Sequence, residues 1–314
     1  MLGLDLGGTK IGLCVGGADG SIGRQRRFAT PRGGPTPALD AIDAEAAALI
    51  AQDGPIAAIG ISCGGPLDAK TGTILSPPNL PGWDAVPITK LLSERFGVPA
   101  ALQNDANACA VAEWRLGAGR GARSLVFCTM GTGFGCGLIL DGRLYEGTNG
   151  YAGEIGHIRL TPDGPVGYGK AGSVEGFCGG SGIAQLAKLR LDAWLASGHR
   201  TRLAAGPALS AQNVAEAAEA GDELARRIFG EVGDRLGAAL AMAVDLLNPE
   251  RIILGSIFVR AERWLRPAME AALARECLPA ALAACHIFPA ELGENLGAVA
   301  ALLVAPVAGR VRHG

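Results

Sequence analysis

The chain has 314 residues, 49% hydrophobic and 18% charged, with 28 Lys+Arg against 30 Asp+Glu and a formal net charge of −2. That length predicts about two domains, and the apolar content excludes a disordered chain. The even charge balance leaves no basic face for the phosphates of a nucleic acid.

Apolar runs are broken by Gly or a charge before they reach the length of a bilayer span, and Asp5 interrupts the N-terminal apolar stretch, so no signal peptide is read. A cytoplasmic protein with neither membrane nor nucleic-acid partner is expected. The eight cysteines form no CxxC pair and mostly lie in apolar stretches, which reads as reduced, buried thiols. The 48 glycines sit in short, separate clusters, the pattern of a chain that brings backbone close to ligands at several turns.

In chain order, Leu2–Leu6 and Ile11–Val15 are apolar runs flanking the turn Gly7-Gly8-Thr9-Lys10. Asp19-Gly20 suits a tight two-residue hairpin before Arg24–Ala29. Thr36-Pro37 reads as an N-cap and first turn of an Ala-rich helix to about Gln52. Ile56–Ser62 is a buried strand, and Ser76–Trp83 a loop. A short helix near Ile88–Phe96, a strand Ala100–Gln103 and a helix from Asn107 to about Arg115 follow.

After the break at Gly117–Gly121 the opening pattern partly recurs: strand Leu125–Thr129, a Gly-rich turn over 131–137, Leu138–Leu140, the turn Asp141-Gly142 and Arg143–Tyr145. Asn213-x-x-Glu216 reads as a reciprocal helix cap. Leu224, Ile228, Val232, Leu236, Leu240 and Val244 recur every four residues, one buried helical face. Strand Arg251–Leu254, helix Glu262–Cys277, strand His286–Phe288 and helix Gly297–Val304 close the chain. Repeated β-then-α units argue for an α/β fold.

Four clusters carry chemistry. In Asp5-Leu6-Gly7-Gly8-Thr9-Lys10 a strand ends in a carboxylate, and the turn offers bare N–H groups and a hydroxyl to phosphate oxygens; a plain β-hairpin is the alternative. Asp5 would stand where a phosphate-bound Mg²⁺ needs an oxygen ligand. Thr129-Met130-Gly131-Thr132-Gly133 is a second such turn, and two of them in matching halves could hold one polyphosphate. In Gln103-Asn104-Asp105-Ala106-Asn107, Asp105 projects at a helix N-terminus, where the dipole favours its ionised form; it reads as a general base or a simple cap. In Gly153-Glu154-Ile155-Gly156-His157, with Glu175 downstream, the side chains suit the hydroxyls of a polyol. A structural zinc is poorly supported, because His157 has no HxxxH or CxxC partner.

The stretches DLGGTKIG at 5–12, ISCGGPLD at 61–68, QNDANA at 103–108, MGTGFGCGLILDG at 130–142, GEIGH at 153–157 and NPERIILG at 248–255 together resemble the ROK family of bacterial sugar kinases and sugar-responsive repressors, within the actin-like ATPase superfamily. The resemblance runs in order over nearly the whole chain. It implies two ribonuclease-H-like α/β lobes, 1–115 completed by a C-terminal helix 296–310, and 116–295, with ATP and sugar in the cleft between them.

By the same resemblance Asp5, Gly7, Gly8, Thr9 and Lys10 form the first phosphate turn and Gly131, Thr132 and Gly133 the second. Gly255 lies near the adenosine, with Ser256 where a second Gly is usual. Asp105 is the catalytic base, and Gly65, Asn79, Asn104, Glu154, His157 and Glu175 are sugar contacts. ATP and Mg²⁺ are the implied cofactors, transfer to the 6-OH of glucose or a related hexose the implied reaction, and a homodimer the implied assembly. N-acetylmannosamine or N-acetylglucosamine phosphorylation and non-catalytic sugar sensing are the alternatives. Family repressors add an N-terminal helix-turn-helix, for which no room is read before the strand beginning at Met1.

One departure stands out. Kinases of the family usually carry a CxCGxxGCxE zinc loop, and here Val166, Tyr168 and Ser173 replace its cysteines while Glu175 remains. Val cannot coordinate a metal, and neutral hydroxyls are poor zinc ligands. The loop is therefore expected to fold without zinc, with Tyr168 packing in its place.

Overall fold

The computed structural model describes residues 1–205 and 209–306. Strands β1 (Leu2–Leu6), β2 (Lys10–Gly16) and β3 (Ile22–Ala29) form an antiparallel meander, and α1 (Pro35–Asp53) leads to β4 (Ile59–Cys63). The small hairpin β5 (Leu67–Asp68)–β6 (Thr73–Ile74), then α2 (Ile88–Phe96), β7 (Ala100–Asn104) and α3 (Asp105–Leu116) complete this half. The sheet order is β3-β2-β1-β4-β7, with β1, β4 and β7 parallel.

The second half repeats the plan. Strands β8 (Leu125–Met130), β9 (Phe134–Leu140) and β10 (Arg143–Tyr145) form the meander. A 3₁₀ turn at Glu154–His157, the hairpin β11 (Val166–Gly167)–β12 (Lys170–Ala171) and helices α4 (Val174–Cys178), α5 (Gly180–Ala196), α6 (Ala211–Glu219) and α7 (Glu223–Leu247) follow. Then come β13 (Arg251–Ser256), α8 (Ile257–Glu276), α9 (Pro279–Ala284), β14 (His286–Pro289) and α10 (Leu296–Val304). This sheet runs β10-β9-β8-β13-β14, with β13 parallel to β8 and β14. Two sheets with the same order make the internal duplication explicit: the fold is α/β, of two actin-like lobes.

Each sheet has its own core. Leu2, Leu4, Leu6, Ile59, Ile61 and Leu102 join α1's Ile42 and Leu49 in one. Val126, Cys128 and Ile252 pack with the four-residue stripe of α7 in the other. Helix α3 lies between them: Ala108 and Ala112 face α10's Val299, Ala300 and Leu303, while Ala110 faces Phe127, Ile139 and Ile253. Small side chains on both faces let one helix touch both neighbours closely. Helix α10 returns to pack on β1, β4 and α3.

Several local expectations are corrected. The β2–β3 hairpin turns over residues 17–21 rather than in two residues, with Gly17 N donating to Ser21 O (2.9 Å) and Asp19 Oδ1 accepting from Ser21. Asp141-Gly142, by contrast, is the turn expected there, two residues long with φ of 51° and 74°. Gly34 precedes α1, so Pro35 rather than Pro37 opens it. Ser210, not Asn213, caps α6, and Gly221 with Asp222 separates α6 from α7. Helix α8 begins five residues earlier than expected, at Ile257.

Helix α10 stops at Val304, because Ala305 turns extended before Pro306, whose ring disfavours helix in the preceding residue. Residues 307–310 of the expected longer helix lie outside the described residues. The eight cysteines are free, seven buried and Cys109 half-buried. No helix among the described residues is long and apolar enough to cross a membrane.

Candidate active site

The first phosphate turn joins β1 to β2. Gly7 N donates to Lys10 O (3.1 Å), and Thr30 Oγ1 donates to Gly7 O (2.6 Å). The loop over 76–83 is anchored by buried Leu80 and Trp83 and passes so close to the turn that a Cβ on Gly8 would lie 2.2 Å from Asn79 O. Asn79, expected on the sugar, is thus set against the phosphate turn, and Thr9 and Lys10 are exposed.

The second turn joins β8 to β9, where Met130 pairs with Phe134. A Cβ on Gly133 would lie 2.4 Å from Glu175 Oε2, and that oxygen accepts from Phe134 N (3.0 Å). The start of α5 buttresses the turn from behind: Gly180 N donates to Gly131 O (2.9 Å) and Ser181 N to Thr132 O (3.1 Å). Gly255 pairs with Thr129 on the adjoining strand. Ser256, at φ 56°, brings its Oγ 3.3 Å from Thr129 Oγ1.

Asp105 is the first residue of α3, not a residue ahead of it. Asn104 is the cap, its Oδ1 accepting from Ala106 N (3.0 Å) and Asn107 N (3.2 Å). That leaves the Asn104 amide nitrogen near Gly65, 3.6 Å from where a Cβ would stand. Asp105 Oδ1 accepts from Ala106 N (2.8 Å). Ala106 in turn lies against Gly135 of β9, which brings the start of α3 to the second turn.

Burial raises the Asp105 carboxyl above the ordinary carboxylate range, outweighing its hydrogen bond to Ala106 N; the helix N-terminus expected to hold it ionised is overcome by desolvation. Asp5 is pushed up to about 6, first by burial and then by the Asp105 charge, against the pull of Lys10 and Arg27. Carboxylate oxygens such as those of Asp5 and Asp105 are hard donors of the kind a divalent cation takes, so by the chemistry of their side chains these residues fit Mg²⁺.

Glu154 stands on the 3₁₀ turn, and its carboxyl is raised by enclosure, then by Glu175, with His157 opposing and Asp105 adding. Asp105, Glu154, Glu175 and His157 therefore act within one electrostatic neighbourhood. A small cavity of about 30 Å³ is lined by Gly65, Asn104 and Glu154, and by Gln103, Glu146 and Tyr151. The last three were missed as site residues. Gln103 Nε2 donates to Glu146 Oε1 (3.0 Å), a bond from the end of β7 to the loop after β10. Gln103 was visible in the QNDANA stretch, but nothing near Glu146 in the sequence points to it.

In the loop that is expected to fold without zinc, the side chains are poor zinc ligands. His157 is the one imidazole, Val166 is apolar, and Ser173 is fully buried as the cap of α4, accepting from Gly176 N (3.1 Å). No group of three or more His, Cys, Asp or Glu that could hold a metal occurs among the described residues. Tyr168 does not pack inside as expected: it is 62% exposed and meets the His157 ring edge-on at 6.0 Å.

Each expected cluster therefore gathers around Asp105: the first turn through Asp5, the second through Ala106, and the GEIGH turn through Glu154. Such an array can hold a polyphosphate on backbone turns, a cation on carboxylates and a polyol on side-chain acceptors, with one enclosed carboxylate among them.

Among known proteins, the chain is 31% identical over 305 residues (95% of this chain, 92% of the other) to a glucokinase of Halalkalibacterium halodurans. It is 33% identical over 310 residues (97% of each) to an N-acetylmannosamine kinase of Shigella boydii. A crystal structure of a ROK family glucokinase from Streptomyces griseus, in complex with glucose and AMPPNP, superposes with a TM-score of 0.82 at 32% identity, covering 97% of this chain and 98% of that one. Residues 1–307 match the ROK family as a whole, and with the duplicated fold and the converging turns, this chain belongs to that family.

Proposed function

We propose that this protein is an ATP-dependent sugar kinase that phosphorylates the 6-OH of glucose or a related hexose, with Asp105 as general base. The observation that carries this reading is that Asp105, first residue of α3 and next to Ala106 against the second turn's strand, adds its charge both to Asp5 before the first turn and to Glu154 on the 3₁₀ turn. The glucose and nucleotide-analogue complex of the Streptomyces griseus relative supports it. In this reading the lobes are 1–115 with the C-terminal helix and 116–295, and the cleft between them is the site.

The chemistry follows from the residues. Phosphoryl transfer passes through a loose transition state, so positioning and charge stabilisation dominate catalysis. The N–H groups of the 7–10 and 131–133 turns orient the phosphate chain, and Mg²⁺ held by Asp5 with the nucleotide would neutralise charge on its oxygens. Asn104, Glu154, His157 and Glu175 hold the sugar hydroxyls. The Asp105 carboxylate accepts the proton of the hydroxyl as it attacks; its raised affinity for a proton makes it a stronger base than an exposed aspartate. Enclosure excludes water, the competing acceptor.

The full-length similarity to an N-acetylmannosamine kinase favours a second reading, phosphorylation of a 2-acetamido sugar in the same cleft. A panel of hexoses and amino sugars with ATP, read by ADP release, separates the two. Glucose is expected to be turned over with the highest kcat/KM; N-acetylmannosamine in first place would select the second reading. A panel with no ADP release but measurable sugar binding would leave a sensor, and the kinase reading would fall.

A further inference from the structure

The loop between the GEIGH turn and α4 lacks the zinc ligands of its relatives' pattern, yet it is tied down. Lys170, the first residue of β12, sends Nζ to the main-chain oxygen of His157 (2.8 Å). Its own main-chain oxygen accepts from Ser173 Oγ (3.0 Å), and that hydroxyl accepts in turn from Gly176 N (3.1 Å) at the start of α4. Arg159 Nη1 adds bonds to Ala171 O (3.0 Å) and Pro162 O (3.3 Å), and Val174 N donates to Ile158 O (2.9 Å).

Lys170 therefore joins two segments at once. Its side chain holds the turn that carries Glu154 and His157, and its backbone holds the cap of the helix that delivers Glu175. A zinc ion bound by a histidine and a neighbouring hairpin would link the same two segments. A lysine ammonium on a carbonyl oxygen is a charge-assisted bond, stronger than a neutral one, though solvent screens part of that strength at this exposed contact. Ser173, with no water access, spends its hydroxyl wholly within the clasp.

We propose that Lys170 and Ser173 are positioning residues that form a metal-free clasp, holding His157, Glu154 and Glu175 in register for the sugar where relatives would use zinc. The proposal deepens the sugar-site reading and rests on it for the identity of the bound ligand.

The test uses the full chain and compares wild type with Lys170→Met, Lys170→Arg and Ser173→Ala. Metal content, glucose affinity by tryptophan fluorescence or calorimetry, kcat and KM, and hydrogen exchange over residues 156–175 are measured with and without chelator. Substoichiometric zinc and chelator-insensitive sugar binding are expected in wild type. Lys170→Met should weaken glucose binding and raise its KM by about tenfold, which corresponds to 1.4 kcal/mol, with kcat changed far less. Exchange over 156–175 should accelerate, and Lys170→Arg should restore both. Ser173→Ala should shift affinity in the same direction.

Stoichiometric zinc whose removal abolishes sugar binding would overturn the proposal. So would a Lys170→Met variant with wild-type affinity and wild-type exchange. If wild type binds no sugar in the panel, the kinase reading fails by itself, and the exchange comparison still decides whether the clasp exists.

Discussion

Asp105 shows how a single residue acquires a role from its surroundings. As the first residue of a helix it would be an unremarkable acidic side chain, but enclosure raises its proton affinity and places its charge beside Asp5. Asp105→Asn keeps the shape and should leave sugar affinity within about threefold while kcat falls by about 10²–10⁴, the usual worth of a positioned general base; steady-state kinetics beside calorimetric sugar binding check this.

In the proposed kinase, Asp105 must be ionised to act as the base. Activity is therefore expected at high pH and lost as pH falls through its raised pKa, so the acid limb of the kcat profile should lie above the range of an ordinary carboxylate. Asp5 carries a cost of the opposite sign. Its folded pKa of about 6 lies above its ordinary 3.8, so its contribution to stability is full below pH 3.8 and lost as pH rises through 6. At 1.36 kcal/mol per unit, burial and the Asp105 charge together cost on the order of 3 kcal/mol at neutral pH. Asp5→Asn should thus raise the melting temperature at pH 7 while weakening Mg²⁺-dependent nucleotide binding. A lower melting temperature would contradict the assignment of that cost.

Among the elements, the two turns are equivalent in sequence style but held differently. The 7–10 turn is pressed by the 76–83 loop through Asn79, whereas the 131–133 turn is pressed by Glu175 and by the start of α5. Glu175 therefore couples helix α4, on the sugar side of the proposed site, to the 131–133 turn. Gly133→Ala would put a methyl 2.4 Å from Glu175 Oε2, inside the closest approach of real atoms, and should displace the carboxylate. We expect KM values for both sugar and ATP to rise together, by about tenfold each, with the melting temperature moved by only a few degrees. A change confined to ATP would mean that Glu175 does not link the two sides.

Over the whole molecule, the chain crosses between its two sheets near α3's end and again ahead of α10, and one buried side chain grips both crossings. Glu113 is fully buried. Its carboxylate accepts from Ala118 N (2.9 Å), Glu291 N (3.2 Å) and Leu292 N (2.9 Å). Arg251 Nη1 also reaches Ala118 O (2.6 Å), and Arg120 pairs with Glu291 at the surface (2.9 Å). Glu113→Gln would turn a donor toward backbone N–H groups and should cost about 1–3 kcal/mol, the penalty of leaving buried donors unsatisfied. Arg120→Ala, at an exposed pair, should cost under about 1 kcal/mol. Denaturant midpoints of the two variants test the contrast, and equal losses would count against a buried grip.

Much of this protein is written locally. Apolar runs of five or six residues, Gly-rich turns and the four-residue stripe of α7 follow from short-range rules, and so β1, β4, β8 and β13 and the turns beside them could be read directly from the residues. Helix starts were less legible at Ser210, Ile257 and Asp105, because capping depends on which of several Ser, Asn or Asp side chains reaches a free N–H.

What no local rule contains is distance between segments far apart in the chain. That Glu146 meets Gln103, that Glu175 rests on the Gly133 turn, that Glu113 spans two crossings, and that desolvation overrides a helix dipole at Asp105 all depend on how two separately packed sheets are brought together around α3. Burial and proximity are properties of the folded chain, so tertiary structure alone sets the charge state and partners of side chains whose identity the sequence already declares.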